Sequence, residues 1–366
     1  MTVVPFTGEI RAMTIDKYTQ RLEKIEAALA RVLPPSADST WLTAVAGESL
    51  LDVRPEAFND ITAPSWALLK RGGKRWRSLV MVLGYELAGG EAQDIFELTT
   101  LVELPHTGSL IIDDIEDKAV ERRGGPAIHL QFGIDKAINA GNFLYFEPTY
   151  LIEQSRLEDS VKLRLLVCYL RVMRRLHFGQ GLDIQWHNDH DFIPSRSEYL
   201  RMCRYKTGAL SRLAAEIAFA AAGRSDLEAD AFGRLWEDIG VGFQILDDVK
   251  NLVSGNPGKQ RGDDIVEGKK SLPVLCHASA SPQAGRDVLE IFRQVDALRT
   301  EGKPYQTEVE RAIALMEGSG AIDEARAMAE SLLSRSASLL RSGYPNTEAR
   351  QSLEELLESF FQGANR

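Results

Sequence analysis

Nearly every segment of this chain repeats its apolar residues at steps of three and four, and that periodicity leaves little choice of fold. The stretches "IDKYTQRLEKIEAALARVL", "VKLRLLVCYLRVMRRLHFGQGLDI", "LSRLAAEIAFAAAG", "DAFGRLWEDIGVGFQILDDVKNLV" and "AIDEARAMAESLLSRSASLL" all show it. Alternating apolar and polar runs, the sign of strands, are almost absent. Breakers gather into connectors such as "LPPSADST", "RRGGP", "SGNPGKQRGD" and "SGYPNTE". None reads as a flexible linker, and no repeat of solenoid period occurs. The expectation is an all-α, single-domain helical bundle over residues 21–366, with residues 1–20 set apart as an N-terminal segment. Helices that are apolar almost all round belong at the centre of such a bundle.

Composition serves mainly to exclude. A net charge of −10 over 366 residues makes the chain a poor non-specific binder of nucleic acid, so any anionic partner must meet a local basic cluster. The opening "MTVVPFTGEIRAMTIDKY" lacks a basic start followed by a long apolar run, which argues against a signal peptide. No stretch approaches the ~20 apolar residues of a membrane span, so stable membrane insertion is not expected. Cys168, Cys203 and Cys276 are scattered and odd in number, and read as reduced core residues of a cytoplasmic protein.

Two acidic stripes interrupt the apolar helices. In "LIIDDIEDKAVERRGGP", Asp113, Asp114, Glu116 and Asp117 crowd behind Leu110–Ile112, and His106, Ser109, Asp113 and Asp117 fall on one helical stripe. In "GFQILDDVKN", Gln244, Asp247, Asp248 and Asn251 repeat the geometry. Carboxylates on inward faces of a bundle stay ionised only if cations compensate them. Oxygen-only donors suit a hard divalent ion, Mg²⁺ above all. The Glu-x-x-His pairs of a di-iron bundle are missing from both stripes. The metal candidates are Asp113, Asp114, Asp117, Asp247 and Asp248.

Mg²⁺ shares its shell with phosphates, and phosphate-binding cations are present. "RGGKRWRS" presents Lys74, Arg75 and Arg77 after two glycines, where backbone amides can approach an anion. "ERRGGP" presents Arg122 and Arg123, "RYKTGAL" Lys206 and Thr207, and "GKQRGDDIVEGKKSLP" Lys259, Lys269 and Lys270. Arg75 and Lys270 each neighbour a better-placed cation and are expected to face solvent. His106, two turns above Asp113, reads as a hydrogen-bond donor to phosphate.

The order GGKRWR, ELPHTGSLIIDDIED, RRGGPAIH, GQGLDIQW, YKTG, GFQILDDVKN, GKQRGDDIVEGKKSLP resembles the trans-isoprenyl diphosphate synthases over residues 72–273. "AINAGNFLYF" and "LHFGQGLDIQW" resemble the eukaryotic geranylgeranyl type. The resemblance implies an isoprenoid-synthase-type bundle around a deep central cavity, usually homodimeric. The implied reaction condenses isopentenyl diphosphate with an allylic diphosphate (dimethylallyl, geranyl or farnesyl) and uses three Mg²⁺ per active site. It implies isopentenyl diphosphate on Lys74, Arg77, His106 and Arg123. It implies the allylic diphosphate on Arg122, Lys206, Thr207, Gln244, Asn251, Lys259 and Lys269. Lys206, Thr207 and Gln244 would flank the reacting carbon, and Gly208 inside a helical pattern would permit a kink that aims a carbonyl inward. Mg²⁺ would sit on Asp113, Asp117 and Asp247, with Asp114 and Asp248 in support.

Ser78, Asn142 and Asn251 depart from the commoner residues of the family, and Ser78 is expected to be neutral. Gly108 and Ser109 are too small to block a hydrocarbon tunnel near the aspartates. The resemblance therefore puts its floor at Tyr145, Phe146 and His177, which implies a twenty-carbon product. Farnesyl or longer-chain synthesis is the alternative. A class I terpene cyclase would lack the GGKRWR cluster, and a non-catalytic partner subunit would have lost an aspartate motif.

Overall fold

Local signals set the helix ends. Ser195 and Glu198 close a reciprocal capping box at the start of Arg196–Cys203, and Ser281 accepts the Ala284 N–H ahead of Pro282–Thr300. Asp38 accepts the Trp41 N–H ahead of Ser39–Ala46, and Gly47 ends that helix in the left-handed conformation, φ 74°. The computed structural model describes residues 12–48, 52–255 and 260–364. Lys259 lies outside them. Among the described residues the only extended pairing is a hairpin, Glu121–Arg122 with Gly125–Pro126, so the chain is all-α as its periodicity requires. No helix there is long and apolar enough to cross a membrane.

The chain forms two compact units, and all but one of the boundaries fall inside helices, the Gly343–Tyr344 boundary lying at a helix end. The first takes Met1–Arg171, Arg212–Gly233 and Tyr344–Leu356. Through its core runs Trp76–Leu87, in which Leu79, Val80, Met81, Val82 and Leu83 are all fully buried. Each such side chain contributes about 2 kcal/mol through burial. Thr100–Glu116 adds Leu101, Val102, Leu104 and Ile111. It meets Ile134–Phe143 at a pair of glycines: a Cβ on Gly108 would stand 2.5 Å from the Gly141 carbonyl oxygen. Phe219 stacks on Phe232 at 4.3 Å, with Tyr344 edge-on to both. The first helix is Ala12–Val32, so helix begins inside the segment set apart as 1–20. Tyr18 is buried there and its hydroxyl donates to the Ser352 carbonyl, which ties the segment into the unit. Glu147 is also interior, 3% exposed, with neither carboxyl oxygen hydrogen-bonded; burial raises its pKa well above the usual range.

The second unit takes Val172–Ser211, Arg234–Gly343 and Leu357–Arg366. Its core holds Trp236, Ile239, Leu272, Phe292 and Leu333. Gly242 lets Leu333 approach the Asp226–Val253 helix, since a Cβ there would stand 2.8 Å from it. Arg204–Gly208 is a single π turn, where Gly208 had suggested a kink.

Candidate functional site

In the first unit the Thr100–Glu116 helix delivers His106, Ser109 and Asp113, and Asp117 caps its C-terminus. The chain then turns through Lys118, left-handed at φ 54°, into the Glu121–Pro126 hairpin. Its two-residue loop is Arg123–Gly124, with φ of 52° and 72°. Positive φ at both loop residues is the type I′ requirement, and the right-handed twist of the strands selects that turn. Arg122 lies back along the helix and forms an ion pair with Asp114, and its Nη2 is 3.6 Å from Asp113. Asp114 is fully buried, so its part is to hold Arg122, whereas Asp113 is half-buried.

Arg123 donates to the Gly72 carbonyl, which brings the hairpin onto the GGKR loop. Lys74 is exposed there. Arg77 is 8% exposed, lies over the Trp76 ring at 4.4 Å, and its Nε has no hydrogen-bond partner. Burial lowers the pKa of Arg77 to about 10, against the attraction of Glu103. Arg123 falls to about 10 as well, through burial first and then repulsion from Arg75. Both stay charged at neutral pH. His106 is pushed well below 6.5 by burial and then by Arg77, Arg123, Arg75 and Arg122, so it is neutral. The result is a positive cluster of buried Arg77 and half-buried Arg123 beside His106, which Glu103 offsets among the described residues.

Arg75 does not face solvent. It is buried at φ 48°, with Nε 2.8 Å from Glu26 and Nη1 3.1 Å from Glu103. Two core carboxylates need a counter-charge, and Arg75 supplies it. Ser78 donates to the other Glu103 oxygen at 2.9 Å, so this departure has a definite partner.

The second unit brings together the other stripe. Lys206 Nζ is 2.6 Å from Asp183, and Thr207 Oγ1 donates to Gln244 Oε1 at 2.7 Å. Gln244 Nε2 donates to Asp248 Oδ1 at 2.8 Å, and the other Asp248 oxygen accepts from Tyr199 at 2.6 Å and from the Leu272 N–H. Burial raises the Asp248 pKa to about 6. Asp248 is thus an internal anchor, while Asp247 is exposed. Asn251 is fully buried: its Oδ1 accepts the Asp264 N–H, which fastens the following loop, while its Nδ2 has no hydrogen-bond partner. Lys269 pairs with Glu267. Lys270, expected in solvent, is 2% exposed: its ammonium donates to the Gly268 carbonyl and sits 4.3 Å from the Phe292 ring. Gly179 allows the Asp159–Asn188 helix to lie against the π turn, since a Cβ there would be 2.4 Å from the Lys206 nitrogen.

The residues picked for chain length separate. Gly108 is occupied by the helix crossing with Gly141, so its size serves packing. Ser109 is half-buried and donates to the His106 carbonyl at 2.8 Å. Tyr145 is buried, and its carbonyl accepts from Tyr169 at 2.7 Å. Phe146 and His177 are exposed, Phe146 by 67%, and neither is an interior wall of the single chain. The sequence reading missed Glu103, Asp183 and Tyr199. Asp183 lies inside GQGLDIQW, and its being the one charge in that stretch was the available signal.

Residues 59–307 match the polyprenyl synthetase family. The chain is 36% identical over 228 residues to a geranylgeranyl pyrophosphate synthase, paxG, of Penicillium paxilli, covering 62% of this chain and 57% of that protein. It is 35% identical over 272 residues to a geranylgeranyl pyrophosphate synthase of Eremothecium gossypii, covering 71% of this chain and 82% of that one. The match thus spans under two thirds of the length of the Penicillium relative. In structure it is similar to a geranylgeranyl pyrophosphate synthetase of Pyrococcus horikoshii, with a TM-score of 0.80, 25% identity, and 95% and 98% of the two chains covered.

Proposed function

This chain belongs to the polyprenyl synthetase family, and from that premise we propose that it condenses isopentenyl diphosphate with an allylic diphosphate to give geranylgeranyl diphosphate. The observation that carries the reading is the positive cluster of Arg77 and Arg123 beside neutral His106, in which the two guanidinium groups are offset by Glu103 among the described residues. A diphosphate supplies further negative charge and accepts from both guanidinium groups.

The carboxylates fit Mg²⁺. The carboxylates of each stripe offer oxygen donors alone, and among the described residues no three Asp, Glu, His or Cys side chains converge on a preformed cage. One or two carboxylates, with water and phosphate oxygens completing the shell, is what Mg²⁺ takes from a protein. Asp113 and Asp117 in the first unit, and Asp247 in the second, are the Mg²⁺ ligands proposed. Bound Mg²⁺ would neutralise charge on the departing diphosphate. Lys74, Arg77, His106 and Arg123 hold isopentenyl diphosphate; Arg122, Lys206, Lys259 and Lys269 hold the allylic one. Asp114 and Asp183 orient Arg122 and Lys206 respectively. The Thr207–Gln244 pair and the π-turn carbonyls direct their dipoles at the allylic cation. That cation is attacked by the isopentenyl double bond, and the proton then lost passes to the released diphosphate.

A second copy of the chain is the partner proposed. Leu163, Val167 and Leu170 are exposed at steps of four and three on the Asp159–Asn188 helix, and Phe146, Leu130, Ile134 and Ile138 are exposed in the same unit. Such an apolar set suits a two-fold, self-complementary interface. Three buried thiols, none in a disulfide, suit the reducing cytoplasm.

The test is product analysis of the purified chain with Mg²⁺, isopentenyl diphosphate and each allylic primer. A twenty-carbon diphosphate from the chain alone is expected. Cyclised hydrocarbon, or no condensation, would overturn the reading.

A further inference from the structure

The hairpin that carries Arg122 and Arg123 is too small to hold its own shape. Each strand has two residues, and a lone two-stranded hairpin is marginal in water even when longer. Its loop also asks a non-glycine residue, Arg123, to stay at φ 52°. That conformation costs about 1–2 kcal/mol for an L-residue. Something outside the hairpin must impose the turn.

Arg71 is placed to do so. It stands just beyond the Asn59–Leu69 helix, where its N–H still bonds to the Leu68 carbonyl. Its Nη1 donates to the Arg122 carbonyl at 2.7 Å and to the Pro126 carbonyl at 2.9 Å, and its Nη2 donates to Gln131 at 3.2 Å. Those carbonyls belong to opposite strands, so one guanidinium spans the hairpin directly below its turn. Gly125 leaves the space: a Cβ there would stand 2.8 Å from the Arg71 Cζ. The grip is reciprocal, because Arg123 donates to the carbonyl of Gly72, the residue after Arg71. A planar fork with five donors can serve two carbonyls and an amide at once, which a lysine cannot.

We propose that Arg71 is a positioning residue, a strap that locks the hairpin in its left-handed turn and so presents Arg122 and Arg123 to the two diphosphates. The second half of this rests on the diphosphate roles proposed above. Arg71 touches neither substrate. It removes the ordering cost that each arginine would otherwise meet on binding.

The experiment compares wild type with Arg71→Ala, Arg71→Lys and Gly125→Ala by two readouts. Amide exchange of residues 121–125 is followed in the ligand-free protein, with the Ala321–Gly343 helix as internal reference. KM and kcat are measured for isopentenyl diphosphate and for farnesyl diphosphate. Losing hydrogen bonds from a charged donor should speed hairpin exchange about ten- to a hundredfold, leaving the reference helix unchanged. Both KM values should rise together by about tenfold or more while kcat changes much less. Arg71→Lys should recover little, and Gly125→Ala should reproduce the defect by displacing the guanidinium. Unchanged hairpin exchange in Arg71→Ala would overturn the strap. A loosened hairpin with both KM values unchanged would overturn the positioning role. A wild type that turns over neither substrate would overturn the functional reading instead, and the exchange data would still decide the strap.

Discussion

Replacing Arg77 by methionine should make the ligand-free protein more stable while destroying its hold on isopentenyl diphosphate. Arg77 is 8% exposed, and burial is the main cause of the fall in its pKa from 12.5 to about 10, with Glu103 opposing. The sign follows directly. A base with a depressed folded pKa is disfavoured in its charged form, and neutral pH lies below both values, so the whole penalty is present there. That displacement corresponds to about 3 kcal/mol. Methionine keeps an unbranched stem over Trp76 and has no charge to bury. An unfolding entropy of ~2 cal/mol/K per residue converts this gain into a rise in Tm of about 4 °C. Scanning calorimetry in phosphate-free buffer measures it, and titration calorimetry with isopentenyl diphosphate measures the lost binding. A lower Tm together with undiminished affinity would refute the reasoning, because the charge on Arg77 would then carry no burial penalty.

Other substitutions probe other parts of the chain. Asp113→Ala and Asp247→Ala should each cut turnover by ~10²–10³ and raise the Mg²⁺ concentration needed for half-maximal rate; an Asp113→Ala enzyme working normally in EDTA would end the metal assignment. Glu147 has a raised folded pKa, so the unfolded chain ionises first and stability falls as pH climbs from about 4.3 towards the folded value. Glu147→Gln should flatten that decline, and identical denaturant midpoints for both proteins at pH 5 and pH 8 would contradict it. Ser109→Phe should shorten the product towards fifteen carbons and Tyr145→Ala should lengthen it, as chromatography of the dephosphorylated products will tell.

Helices were legible because burial repeats with the turn: the Asp226–Val253 and Ala321–Gly343 segments announce themselves by the spacing of their apolar residues. Paired aspartates were legible because repulsion at helical spacing demands a compensating partner. Which member of each pair faces outward was not, since Asp113 and Asp114 differ by only 100° of helix rotation. Only the packed structure separates the buried anchor from the half-buried carboxylate. Asn251 shows a related division within one side chain, its Oδ1 taken by the Asp264 N–H thirteen residues on and its Nδ2 left without a partner. Arg75 and Lys270 misled because a neighbouring better-placed cation says nothing about core carboxylates elsewhere, and Glu26 lies 49 residues away from Arg75. Contacts of that range leave no periodic trace. The π turn at Arg204–Gly208 was half legible, through a glycine in a helical pattern.

The glycine contact between Thr100–Glu116 and Ile134–Phe143 bears on how such a chain could change its product over evolutionary time. Positions 108 and 109 look equivalent on paper, both small and both about one turn before Asp113. They are not equally free to mutate. Any side chain at 108 must first push apart two helices whose backbones touch through Gly141, a shift felt by every residue those helices carry. Position 109 has no such veto: its serine spends its hydroxyl on its own helix, at the His106 carbonyl. Drift in product length would therefore be channelled through residue 109, with residue 108 held still by its neighbour. Libraries built to retune the chain should vary the serine and leave the glycine alone.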